Sequence, residues 1–162
     1  WSNLKKAVEG EDVLDNLAKA AYFAGKAINI TKTTGPHSLS YGFTTNYGIS
    51  HGHAVSIFLP FFVNFHKNID EENCNDSRGH HFVLKQMTEI ADILSVNFDN
   101  LEYEIISFFK ELQIDINFKK LGVDETGFLT AIKGLNKDRL KNNPRLLSTK
   151  EIFEIYSYNS NY

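Results

Sequence analysis

The chain has 162 residues, 42% of them hydrophobic and 23% charged, with a net charge of −3 at pH 7. That length carries one domain with its own core, and the slight acidic balance gives no reason to expect nucleic acid or an anionic membrane as a partner. Cys74 is the only cysteine, which excludes an intramolecular disulfide and points to a reducing compartment, the cytoplasm.

The first residues, WSNLKKAVEGEDVL, hold no apolar signal core. Residues 12–30 predict a helix, because Val13, Leu17, Ala20 or Ala21, Ala24 and Ala27 or Ile28 recur at three- and four-residue spacing. Its many small residues, Ala18 to Ala27 with Gly25 among them, would let neighbours approach closely, which places this helix centrally. Residues 31–36, TKTTGP, read as a loop broken by Gly35 and Pro36. A short helix follows over 37–45, then a turn, NYGIS.

From His51 a long apolar helix runs to about Lys67, bent at Pro60 where the ring removes a hydrogen bond. Its apolar run, 54–65, falls short of the roughly 20 residues a bilayer span needs. Being apolar nearly all round, it belongs at the centre of an all-α domain. Residues 70–79, DEENCNDSRG, read as a polar surface loop.

Two amphipathic helices are predicted next. One spans 81–96 and uses Phe82, Ile90, Ile93 and Leu94. The other spans 98–112, with Leu101, Ile105, Phe108 and Phe109 inside and Asp99, Glu102 and Glu104 on a solvated face. Residues 114–122 read as an extended connector. A helix over 124–135 is expected, with Asp124 as N-cap and Gly134 near its end. The turn NNPR follows within 140–147. Ser148 with Glu151 matches a capping box for a last helix over 148–156, ahead of a frayed tail. The whole, residues 1–162, reads as one helical domain.

The chemistry concentrates in residues 26–64. His37 and His51 lie fourteen residues apart, each able to open a helix, and imidazole is the commonest protein metal ligand. Tyr41 shares a helical face with His37 at i, i+4. His53 sits in the first turn of the following helix, where free N–H groups attract anions, and Lys32 lies in the preceding loop. His66 reads as a partner for the C-terminal helix dipole. His80 and His81, being adjacent, make a poor chelate. Cys74 has no evident activating partner.

In order these features are His37, the segment SLSYGFTTNYG, His51-Gly52 opening a long helix, and Leu59-Pro60 within it. They resemble the iron-containing (group III) alcohol dehydrogenases of the dehydroquinate synthase-like superfamily. The turn Asn143-Pro144-Arg145 before a final helix resembles the family's C-terminal end, so the likeness runs from about residue 13 to 156. The pattern His51-Gly52-His53-Ala54 is closest to the branch assigned as phosphonoacetaldehyde or hydroxyethylphosphonate dehydrogenases.

The resemblance implies the helical, metal-binding half of an NAD(P)-dependent enzyme. Its α/β nucleotide-binding domain would lie outside this sequence, and no Gly-rich phosphate-binding turn is present within it. His37 and His51 would then be two of four ligands to Fe2+ or Zn2+. The other two, an aspartate and a histidine on an earlier helix, would precede Trp1, so the chain alone is expected to hold metal weakly and to be inactive. Tyr41 stands where many members carry a histidine facing the nicotinamide, which makes it the candidate catalytic donor. His53 and Lys32 are the candidate substrate contacts. The expected partners are a small alcohol or aldehyde, phosphonate-bearing for this branch, and a second copy of the chain in a homo-oligomer; neither nucleic acid nor membrane is expected. Two other readings stay open: a non-catalytic helical module for oligomerisation or partner binding, and a metal-dependent cyclase or lyase of the same superfamily.

Overall fold

Residues 54–65 carry apolar side chains on every face, so a helix there has to be covered all round. The computed structural model, which describes residues 1–133, 135 and 140–162, arranges the chain in that way. The helices are α1 (Ser2–Val8), α2 (Leu14–Thr31), α3 (Gly35–Tyr47), α4 (His51–Lys67), α5 (His80–Leu94), α6 (Leu101–Glu111), α7 (Glu125–Ile132) and α8 (Thr149–Ser160), with a 3-10 turn over Phe98–Asn100. Among the described residues the only bridge of extended type joins Cys74 to Arg145. The fold is all-α.

α4 runs unbroken through Pro60 and separates two hydrophobic clusters. On one side α3, α7 and α8 enclose Phe43, Phe58, Phe118 and Phe128, each fully buried. On the other, α5 and α6 close over Val63 with Met87, Leu101 and Ile105. Phe118 belongs to the segment 114–122, expected to be an extended connector. Residues 114–117 carry no regular structure and only 118–122 form turns, with the Phe118 ring stacked on Phe43 at 5.5 Å and on Tyr156 at 5.8 Å. Ile116, Asn117 and Phe118 are all buried, so the alternation in IDINF does not separate a core side from a solvent side.

α3 begins two residues earlier than its pattern suggested. Gly35 and Pro36 lie in its first turn, where a proline costs nothing because that N–H has no helical partner. Gly35 is buried, and a Cβ there would stand 2.2 Å from the Phe62 ring. Its N–H is received by Asn143 Oδ1 at 3.3 Å. Gly42 serves the same close approach on the next turns: a Cβ would meet the Ala131 carbonyl at 1.9 Å, so α7 rests on α3 through bare backbone.

Several expectations need correction. α2 is not central: none of its residues is buried and its main neighbour is α1. Periodicity shows that a helix has an apolar face but not what covers it, and alanines supply little area to bury. In α5 the buried stripe is Val83, Met87 and Ala91, while Ile90 and Ile93 face outward. Glu102 is not merely solvated, since its Oε1 accepts the Tyr158 hydroxyl and, at 3.3 Å, that of Tyr162. The loop after Asp70 is stitched to the NNPR turn: Asn75 N–H donates to the Pro144 carbonyl at 2.8 Å and Leu146 N–H to that of Asn73 at 3.0 Å.

The tail is ordered. α8 extends to Ser160, and the buried Asn159 donates from Nδ2 to the carbonyls of Ile57 (2.8 Å) and Ile116 (3.1 Å). Asp124 caps α7 through Gly127 N–H at 2.7 Å, and the Ser148–Glu151 capping box forms. Gly134, expected near the end of α7, lies outside the described residues. No helix among the described residues is long and apolar enough to cross a membrane.

Candidate metal centre

Gly48 ends α3 in the left-handed conformation (φ 66°), and the chain turns through Ile49 and Ser50 into α4. Glycine takes that φ without a Cβ clash. The turn returns the first residue of α4 to the first turns of α3, the helix against which α4 packs most extensively. There the His51 and His37 ring centres are 5.4 Å apart, inclined at 67°. Tyr41 stacks on His51, with ring centres 5.2 Å apart and planes 26° from parallel.

Two imidazoles sharing one tetrahedral ion, each at about 2.0–2.2 Å from its coordinating nitrogen, have ring centres roughly 5 Å apart. The His37–His51 pair fits that requirement. Among the described residues no group of three or more His, Cys, Asp or Glu side chains gathers at one point. Two imidazoles alone fall short of the four ligands a tetrahedral ion takes. His51 is exposed and His37 half-buried, so the site opens at the surface of the chain.

Ser40 escaped the sequence reading, having no motif to announce it. It is fully buried beneath the two histidines. Its Oγ donates to the His37 carbonyl at 2.9 Å and lies 3.5 Å from His51 Nδ1.

The other candidates lie elsewhere. His53 Nε2 donates to the Asp115 carbonyl at 2.6 Å, tying α4 to the connector. Residues two apart do not share a helix face, so His53 turns away from the His51 ring. Lys32 is exposed at the C-cap of α2, with φ 66°, where its N–H donates to the Ile28 carbonyl at 2.9 Å. Neither joins the ring cluster. His66 is no charge partner for the α4 dipole. Burial holds its pKa down to about 4, the Asn143 side chain opposing and the Arg145 charge reinforcing that shift, so the ring is neutral near pH 7.

Residues 1–160 match the C-terminal region of the Fe-containing alcohol dehydrogenase family. The chain belongs to that family. A phosphonoacetaldehyde reductase from Streptomyces viridochromogenes is 31% identical over 75 residues, which are 46% of this chain and 19% of that protein. The likeness agrees with the branch that the His51-Gly52-His53-Ala54 pattern resembles. That relative is more than twice as long as this chain, which spans well under two thirds of it. The family is one of oxidoreductases, and the histidine pair at the starts of α3 and α4 belongs to an iron-alcohol-dehydrogenase C-terminal domain.

Proposed function

We propose that this domain supplies half of the metal centre of an NAD(P)-dependent enzyme interconverting small aldehydes and alcohols. The observation that carries the reading is the convergence of His37 and His51, 5.4 Å between ring centres, in a chain of this family. When bound, Fe2+ or Zn2+ supplies Lewis-acid polarisation of the substrate oxygen. The protein's own contribution is positional. α3 and α4 present two imidazoles from helix starts fixed by the core beneath them, and Tyr41 walls one side of His51. The Tyr41 hydroxyl, on a side chain 43% exposed, is assigned as a donor to the substrate oxygen.

The remaining ligands, an aspartate and a histidine, and the nucleotide-binding domain are assigned to polypeptide outside these 162 residues. α2 offers a surface for such polypeptide, with Leu14, Tyr22, Phe23 and Ile30 exposed. The preferred substrate is a phosphonate-bearing aldehyde, on the likeness to the Streptomyces reductase.

The test is an NAD(P)H absorbance assay beside a metal titration, run on this chain and on the longer polypeptide that restores the upstream domain. The chain alone should show no turnover and weak Fe2+ or Zn2+ binding, and the longer form should show both. In the longer form His51→Ala should reduce metal retention and turnover together. A variant keeping both would overturn the assignment of His51.

A further inference from the structure

A buried serine hydroxyl has one hydrogen to give and two lone pairs to receive with. Ser40 is 0% exposed, and its hydrogen goes to the His37 carbonyl at 2.9 Å. The polar atom of another side chain within its reach is His51 Nδ1, at 3.5 Å. With the hydroxyl hydrogen already committed, the Ser40 oxygen serves Nδ1 as an acceptor, so Nδ1 carries the imidazole proton. Contacts of this kind are commonly long before a site is loaded.

The consequence falls on the other ring nitrogen. With Nδ1 protonated, Nε2 keeps its lone pair, and only a deprotonated imidazole nitrogen can bind an ion. Free histidine side chains in water favour the opposite tautomer, with the proton on Nε2. The chain holds that opposite tautomer at His53, whose Nε2 has to donate because its partner is the Asp115 carbonyl. Tyr41 adds a steric limit by stacking on the His51 ring.

We propose that Ser40 is a positioning residue that sets the tautomer and orientation of His51 while anchoring the backbone of His37. One hydroxyl thereby fixes both halves of the ligand pair relative to each other. The inference rests on the metal-site reading above, but its first test needs no metal.

Nitrogen-15 correlation spectra of the imidazoles in the metal-free 162-residue chain report the tautomers. His51 should be the Nδ1–H form and His53 the Nε2–H form. In Ser40→Ala, His51 should move toward Nε2–H while His53 stays, the latter confirming that the fold is intact. A His51 already in the Nε2–H form in the unmodified chain, or one unmoved by Ser40→Ala, would overturn the proposal.

A zinc titration then separates the two readings. Outer hydrogen-bond partners of metal-binding histidines are commonly worth about 10–100-fold in affinity, so Ser40→Ala should weaken Zn2+ binding by about that factor. His37→Ala and His51→Ala should abolish it. If the histidine variants abolish binding and Ser40→Ala leaves it unchanged, the positioning role falls and the metal site stands. If neither histidine variant affects binding, the metal site falls, and the tautomer spectra still decide the role of Ser40.

Discussion

His66 shows how one buried ring makes stability depend on pH. Its pKa in the folded chain is lowered to about 4 from an ordinary 6.5, so between those values the unfolded chain binds more protons than the folded one. Stability then rises with pH across that window. The His66 contribution is complete above about pH 6.5 and is lost as pH falls through 4. A shift of this size corresponds to roughly 3 kcal/mol at most. Replacing the ring with a neutral side chain, as in His66→Leu, should flatten the acid limb of a urea-stability profile between pH 4 and 6.5. A profile with unchanged slope would mean that other groups carry the acid sensitivity.

Asn159 belongs to the same scale. It donates to two buried carbonyls on separate segments, Ile57 and Ile116. Asn159→Leu would remove both bonds; the Ile57 carbonyl, inside α4, keeps its helical position, so the cost is that of the lost bonds and of a buried group left unsatisfied, about 1–3 kcal/mol. The midpoint in urea should drop with little change in slope. No local pattern distinguishes this residue: it stands in SYNSNY, whose composition resembles that of any frayed end.

At the scale of elements, α3 and α4 were the legible part. The start of α4 at His51, the N-cap at Asp124 and the capping box at Ser148 all follow from local chemistry that acts within a turn or two. The position of α2, the outward Ile90 and Ile93, and the turn around Phe118 depend on partners distant in sequence, and no local pattern encodes those. The histidine pair was legible because each ring opens a helix. Ser40 was not, because its role depends on two groups meeting in space.

Gly42 tests the packing between elements. A methyl group there would lie 1.9 Å from the Ala131 carbonyl, which is backbone and cannot swing aside. Gly42→Ala should therefore lose about 1–3 kcal/mol to overpacking, despite the better helix propensity of alanine. Since α3 carries His37 and Tyr41, the same variant should also weaken zinc binding in the titration described above. A variant more stable than the parent would show that α7 can shift freely on α3.

For the whole molecule, the contrast is between α4 and α2. α4 has eight buried residues, α2 has none. Local opening costs little where few apolar contacts are broken. Amides of α2 should therefore exchange with deuterium at rates set by helix fraying, while those of α4 exchange only by global unfolding. α1 should be slower than α2, because Trp1 stacks on Phe108 at 3.7 Å and Lys5 pairs with Glu111 at 3.1 Å. Equal protection across α2 and α4 would mean that something covers α2 in solution.

The polar seams that close the molecule also set an order of events in time. Asn143 holds Gly35 across 108 positions of chain and Asn159 holds Ile57 across 102, whereas α3 and α4 meet through a three-residue turn. Closing a long loop costs more chain entropy than closing a short one, so neighbouring helices associate before distant segments are joined. Asn143 and Asn159 then have little of their native bonding at the rate-limiting barrier. Alanine at either position should leave the refolding rate nearly unchanged and speed unfolding. Substitutions within the α3–α4 hairpin, such as Phe58→Leu, should slow refolding instead.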